Sequence, residues 1–228
     1  RLYWVIDGYT VTDRYPYSKP YSKEDNINYI RNSVKVVIDA YNGTTKYYVF
    51  DEDDPIIQTY RNIFPNLFLD KSQMPEGIMS HMRYPINLFD IQAEVYKEYH
   101  VSNPMVFYNN EDLWDIANEK YMSEVLEVEA TYVMFKLPDE EEVEFLLTVP
   151  YTPRTKPNLT SLFIARNDGD SYGRLFIYKF PKGETIDGPM MVESRIDQNT
   201  SISEEMTLWS QQGSRVLRGN MIIVPIEN

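Results

Sequence analysis

The groups this chain offers to chemistry are 35 carboxylates, 19 tyrosines, two histidines and no cysteine. Each set admits some reactions and excludes others. Without cysteine there is no disulfide, thiolate metal site or thiol nucleophile. His81 and His100 stand alone, with no HExxH and no paired spacing, whereas zinc takes three or four His, Cys or carboxylate ligands. No cofactor is expected. There is no GxSxG elbow, no GxxxxGK[ST] loop and no GxGxxG, and only nine glycines to build a phosphate cradle. Oxygen ligands cluster at Asp51-Glu52-Asp53-Asp54 and Asn167-Asp168-Gly169-Asp170. Neither follows the twelve-residue calcium loop, so the first reads as an acidic helix start and the second as a turn. Asp168 and Asp170 are the weak calcium candidates.

Two features remain. Acids in aromatic surroundings suit glycoside hydrolysis when two lie at a set separation. Asp7 after the first apolar run and Asp13 beside Arg14 and Tyr15 are the candidates, with a turn cap or an Arg14 or Arg31 ion pair as their structural alternatives. Tyr9, Tyr15, Tyr17, Tyr21 and Tyr29 crowd one segment. Tyrosine joins an apolar face to a polar tip, which suits partner surfaces and sugar stacking. Asp13, Arg14, Tyr15, Tyr17 and Arg31 are therefore the candidate recognition surface, and Asp7 joins them as a candidate acid.

The overall balance narrows the partners. The 228 residues carry 22 cations against 35 anions, a formal charge of −13. That sign opposes binding to nucleic acid or to an anionic leaflet. No apolar run reaches the roughly 18 residues of a spanning helix, so this stretch does not insert into a membrane. The opening run Arg1-Leu2-Tyr3-Trp4-Val5-Ile6 reads as a core strand, and with no starting Met it suggests a piece of a longer protein.

Periodicity then assigns the elements. Trp4–Ile6 reads as a strand, followed by a loop over residues 7–22. Ile27, Ile30, Val34, Val37, Ile38 and Tyr41 recur at helical spacing, with Asp25 or Asn26 as cap and Asn42-Gly43 as stop. Thr44–Phe50 is β-branched and aromatic, hence a strand. Asp54-Pro55, Pro75, Pro85 and Asn110-Glu111-Asp112 each read as helix starts, making residues 53–118 a helical section. Alternation from Val128 to Met134, a turn at Pro138-Asp139 and a run from Val143 to Val149 predict a hairpin. Leu159–Ala165 and Leu175–Phe180 read as further strands. Gly188-Pro189 and Ser201-x-x-Glu204 open two helices, and a last hairpin spans Arg215–Ile226 around Gly219-Asn220. The expectation is an α+β fold, with a helical N-terminal half packed on a mainly antiparallel sheet from the C-terminal half. It is one domain over 1–228, with subdomains 1–120 and 121–228 as an option.

Long ordered blocks also carry a resemblance. They include Asp7-Gly8-Tyr9-Thr10, Thr12-Asp13-Arg14-Tyr15-Pro16-Tyr17-Ser18 and Asn28-Tyr29-Ile30-Arg31-Asn32-Ser33-Val34-Lys35. Others are Asp53-Asp54-Pro55-Ile56-Ile57, Glu111-Asp112-Leu113-Trp114 and Gly213-Ser214-Arg215-Val216-Leu217-Arg218-Gly219-Asn220. The chain resembles uncharacterised protein family 0182, a set of large bacterial integral membrane proteins. The resemblance implies transmembrane helices N-terminal to this stretch, in a parent held in the bacterial cell membrane. It places this stretch in a soluble region on the extracytoplasmic face, with the transmembrane part of the same chain as partner. It supplies no catalytic residue and no substrate. Three functions follow as expectations: recognition of a cell-surface ligand or protein partner, or scaffolding; hydrolysis of an envelope polymer through acids; and delivery of solute to a membrane transporter.

Overall fold

Residues Tyr29–Asp39 form an interior strand of a four-stranded sheet, where the spacing of apolar residues predicts a helix. This appears in the computed structural model, which describes residues 1–21, 26–121, 124–138, 140–181 and 183–224. The chain divides into two compact units, Arg1–Ile91 and Gln92–Asn228.

In the first unit, β1 (Tyr3–Thr12), β2 (Tyr29–Asp39) and β3 (Thr45–Val49) run antiparallel in order. Helix α1 (Pro55–Ile63) leads to β4 (Phe68–Asp70), which lies parallel to β3. A short α2 (Glu76–Met79) follows, and α3 (Ile86–Tyr99) crosses the unit boundary. The N-terminal half is thus mainly sheet, with scattered helices, and the helical half is overturned. The reason lies in β2. Ser33, Val34 and Lys35 are buried in succession, so both faces of the strand are covered. A strand buried on both faces loses its alternation, and spacings of three and four then mimic a helix. Its Ile30, Val34, Val36, Val37 and Ile38 are β-branched, which favours the pleated backbone. Asn42-Gly43 is a hairpin turn rather than a helix stop. Gly43 has φ 73° and its N–H donates to the Asp39 carbonyl at 2.8 Å. Asp25 lies outside the described residues. Against α1, Val34, Val49 and Ile57 form a small core with Val36, Tyr47 and Phe68.

The second unit begins with α4 (Pro104–Tyr108), β5 (Trp114–Ile116), β6 (Asn118–Tyr121) and β7 (Glu124–Glu127). It continues with β8 (Thr131–Lys136), β9 (Val143–Pro153), β10 (Asn158–Leu159) and β11 (Ser161–Arg166). It ends with β12 (Leu175–Lys179), β13 (Ile186–Asp187), α5 (Pro189–Gln198) and α6 (Thr200–Trp209). β12, β11, β9 and β5 are neighbours in one antiparallel sheet, and β8 also pairs with β9 in the expected hairpin. One face buries Val133, Phe135, Leu146, Leu162 and Ile164. On the other, the Tyr96 ring of α3 stacks on Phe163 at 5.7 Å, and the buried Tyr151 hydroxyl donates to the Ala93 carbonyl at 2.7 Å.

Other expectations shift as well. No helix starts at Asn110-Glu111-Asp112, because Asn110 and Asp112 adopt φ 54° and 57° and Trp114 enters β5. The preceding helix is α4, capped by Asn103. The cap of α6 is Asn199, which accepts from the Ile202 N–H, in place of Ser201. Arg215–Leu217 and 221–224 form no strand, and residues 225–228 lie outside the described residues.

Candidate functional site

One carboxylate gathers the first unit. Asp54 is the N-cap of α1 and is 1% exposed. Its Oδ1 accepts from the Ile56 N–H at 3.0 Å and the Tyr29 hydroxyl at 2.8 Å. Its Oδ2 accepts from Thr10 Oγ1 and Ser33 Oγ, each at 2.6 Å, and from the Ile57 N–H at 3.4 Å. The pairing of β1 with β2 shifts register between Gly8 and Thr10, at the point where the buried Thr10 reaches this carboxylate. Burial acts to raise the Asp54 pKa, but the donors Ser33, Thr10 and Tyr29 outweigh it and hold the carboxyl below its ordinary value. The Tyr29 hydroxyl, buried and donating to a carboxylate, is pushed up to about 12. It therefore stays a donor at any physiological pH.

Tyr29 carries the lock to the surface. Its ring stacks on Tyr15 at 5.3 Å, nearly parallel at 18°, and the Arg31 guanidinium lies 5.8 Å from its centroid. Arg31 also reaches Asp51 at 3.4 Å. Beside it Asn28 clamps the tyrosine loop. Its Oδ1 accepts from the Tyr15 N–H at 3.0 Å, and its Nδ2 donates to the Tyr15 and Ser18 carbonyls at 2.8 and 3.0 Å. Ser18 Oγ donates back to the Asn28 carbonyl at 2.8 Å. The clamped turn projects Tyr17, fully exposed at φ 60°, together with Arg14, whose side chain is 91% exposed.

Of the sequence candidates, the structure brings Tyr15 and Arg31 together through Tyr29. It leaves Arg14 and Tyr17 at the tip of the same loop, with Asp13 3.7 Å from Arg14 in open solvent. Asp7 does not join them. It sits within β1 and pairs with the buried Lys35, whose ammonium also donates to the Arg83 carbonyl at 3.2 Å. Burial holds that ammonium below the ordinary lysine range, against the opposing pull of Asp7. Asp7 thus compensates a buried charge. We expect Asp7→Ala to lower unfolding free energy by about 2–3 kcal/mol in urea, where an exposed acid changes it by under about 0.5 kcal/mol. Loss of under 0.5 kcal/mol would remove this structural role. Asn28, Thr10, Ser33 and the contact of the Tyr29 hydroxyl with Asp54 are not marked by the sequence. Their only sequence signal was the Asp54-Pro55 helix start, which marks a cap and not a hub.

Elsewhere, Asp168 accepts from the Phe145 N–H at 2.7 Å, and Asp170 lies in the adjoining short 3-10 turn. Among the described residues no three His, Asp or Glu side chains gather as a metal site. Among the described residues, two cavities of the second unit stand out. One, about 550 Å³, opens beside Asp197, Thr200, Ser203 and Glu204. The other, about 230 Å³, is lined by Asp115, Asn118, Thr152, Arg154 and Met190. Both mix polar and apolar walls, and neither contains Asp7 or Asp13.

Comparison with known proteins bears on the whole chain. The model of UPF0182, an uncharacterised protein family, matches residues 1–209. The chain belongs to the UPF0182 family. A UPF0182 protein of Alkaliphilus metalliredigens is 57% identical over 228 residues, which is all of this chain and 24% of that protein. UPF0182 proteins of Methanospirillum hungatei and Trichodesmium erythraeum are 51% and 47% identical over all of this chain, which covers 26% and 27% of them. The chain therefore spans about a quarter of the length of the curated relatives it matches, and it corresponds to a region of longer UPF0182 proteins. No solved structure matches. Among the described residues of this UPF0182 region, no helix is long and apolar enough to cross a membrane.

Proposed function

We propose that this region is a recognition module on the extracytoplasmic face of a membrane-held UPF0182 protein, and that the loop from Asp13 to Ser18 meets a cell-surface ligand or protein partner. The supporting observation is that stacking and hydrogen bonds brace an exposed aromatic loop. Tyr15 is stacked on Tyr29, the loop backbone is clamped by Asn28, and Tyr29 is held from below by Asp54. Preorganised aromatic and arginine side chains lose little entropy on binding, which favours partner contacts and stacking on saccharide rings. Arg14 and Tyr17 place an exposed cation and an exposed ring at the tip.

Acid catalysis has no such support. Asp7 neutralises Lys35, while Asp13 lies in open solvent beside Arg14.

The test uses cell-wall saccharides and muropeptides as probes. A probe at about 100 times its Kd stabilises by roughly 2.7 kcal/mol, visible as a rise in Tm. The double variant Arg14→Ala, Tyr17→Ala keeps its own Tm within about 1 °C, because both side chains are exposed. It is expected to lose the probe-induced rise. A probe-induced rise of undiminished size in that variant overturns the loop as the recognition surface. A flat response to every probe removes envelope saccharide as the ligand class.

A further inference from the structure

Strand β1 is built like the inside of a sheet but stands at its edge. It pairs with β2 on one side and with nothing on the other among the described residues. Leu2, Trp4 and Ile6 alternate with Tyr3 and Val5, so both faces of this stretch are apolar. Strands that are apolar on both faces are covered on both faces in native sheets, and half-exposed strands alternate with polar residues instead. Here neither face is covered. Trp4 is 68% and Ile6 50% exposed on one face, and Tyr3 is 42% and Val5 43% exposed on the other. Natural edges carry lysine, proline, an inward charge or a bulge to block further pairing. Residues 2–6 contain no charge and no proline, and the register shift comes later, between Gly8 and Thr10. An unpaired, two-sidedly apolar edge of this kind marks an absent neighbour.

We infer that in the longer UPF0182 chain β1 is an interior strand, its free edge taken by an extended, alternately apolar segment from the part of that chain outside these 228 residues. Two observations favour this occupant over a second copy. The matched relatives are about four times as long as this chain, so each has ample chain to supply the segment. Both faces of β1 need covering as well as its edge. Pairing between two copies satisfies the edge and leaves Trp4 and Tyr3 on opposite exposed faces, whereas the longer chain has three quarters of its length left to supply, beside the pairing segment, the parts that lie over both faces. A tethered segment also meets the edge at millimolar effective concentration, with no second molecule required.

The experiment uses the longer chain, numbered as here over this region. A photo-crosslinking benzoylphenylalanine replaces Trp4, and the products are sized and mapped by mass spectrometry. The expected product is an intramolecular crosslink from position 4 to a residue outside 1–228. A crosslink between two chains, doubling the mass, assigns the edge to a second copy and overturns the inference. Absence of any crosslink at position 4, with the same probe at the buried Phe89 reacting as a positive control, shows an open edge and also overturns it. Ile6 carries the same test if the Trp4 replacement does not fold. A lysine scan gives an independent readout. Trp4→Lys and Ile6→Lys should each lower the Tm of the longer chain by about 4 °C or more. Tyr41→Lys, at a position 69% exposed and off this strand, should change it by under about 1 °C. Equal, small changes at all three positions contradict a covered strand.

Discussion

Asp54→Ala lowers the unfolding free energy by about 3–5 kcal/mol and loosens the tyrosine loop along with the helix. The size follows from the number of groups left without a partner. Five donors converge on this buried carboxylate: three hydroxyls and the first two free N–H groups of α1. Loss of an N-cap alone costs about 1 kcal/mol, and each buried hydroxyl left unsatisfied adds about 1 kcal/mol or more. Thr10 and Ser33 lie 3.0 Å apart and can bond each other once the carboxylate is gone, which keeps the total below a simple sum. Asp54→Asn preserves the shape but removes the charge, and should cost about half as much.

The pH dependence separates the two effects. The Asp54 pKa is held below its ordinary 3.8 in the folded chain, so the unfolded chain binds the proton more readily. The stabilisation is therefore complete above about pH 4 and is lost as pH falls through the folded pKa. The gap between wild type and Asp54→Asn should shrink over that acid window and stay constant from pH 5 to 8. Urea unfolding at several pH values measures it, and a gap independent of pH would show that the charge of Asp54 contributes nothing. A change confined to α1, with the Tyr15–Tyr29 stack intact by nuclear Overhauser contacts, would show that the hub does not brace the loop.

Gly188→Ala destabilises the second unit by about 3 kcal/mol or more. Gly188 caps α5 at φ −79°, a backbone that any residue adopts, so the cost is one of space. A Cβ there would lie 2.1 Å from the Pro157 carbonyl oxygen and 3.2 Å from its carbon. Those are backbone atoms, held by the β10–β13 pairing of Asn158 with Asp187 and Leu159 with Ile186, and they cannot turn aside as a side chain would. Relief requires α5 to move by more than 1 Å, and overpacking of this kind costs about 1–3 kcal/mol even where the neighbours are softer. The displaced helix would also pull the buried Glu193 carboxylate off the Lys120 N–H, which it accepts at 2.6 Å. Gly188→Ser is the sharper variant. Serine is a better N-cap than glycine by a few tenths of a kcal/mol, so capping alone predicts a small gain. The steric argument predicts a loss close to that of alanine. Thermal unfolding and hydrogen exchange at Lys120 distinguish them, and a stabilised Gly188→Ser would refute the close approach.

The helix starts at Asp54-Pro55 and Gly188-Pro189 are legible because proline at the first helical position and a favoured N-cap residue before it act within one turn, and Pro85 stands directly before α3. The β8–β9 hairpin was legible because its alternation and turn are also local. The loop candidates Arg14, Tyr15 and Tyr17 stood out by composition alone. Family membership was equally available from long ordered blocks. By contrast, β2 is not legible locally, because its helical spacing and its strand-like side chains conflict. Hydrogen bonding to β1 and β3 on its two sides, supplied by residues far along the chain, decides between them. The same dependence hid the hub. Thr10, Tyr29, Ser33 and Asp54 span 44 positions and share no motif. A register shift in β1, the pairing of two strands and the start of α1 must all be in place before their oxygens meet. Composition and short-range spacing therefore set the charge, the caps and the exposed tyrosines of this region. Tertiary pairing alone decided that its first half is sheet, that Asp7 serves Lys35, and that a helix cap became the anchor of the tyrosine loop.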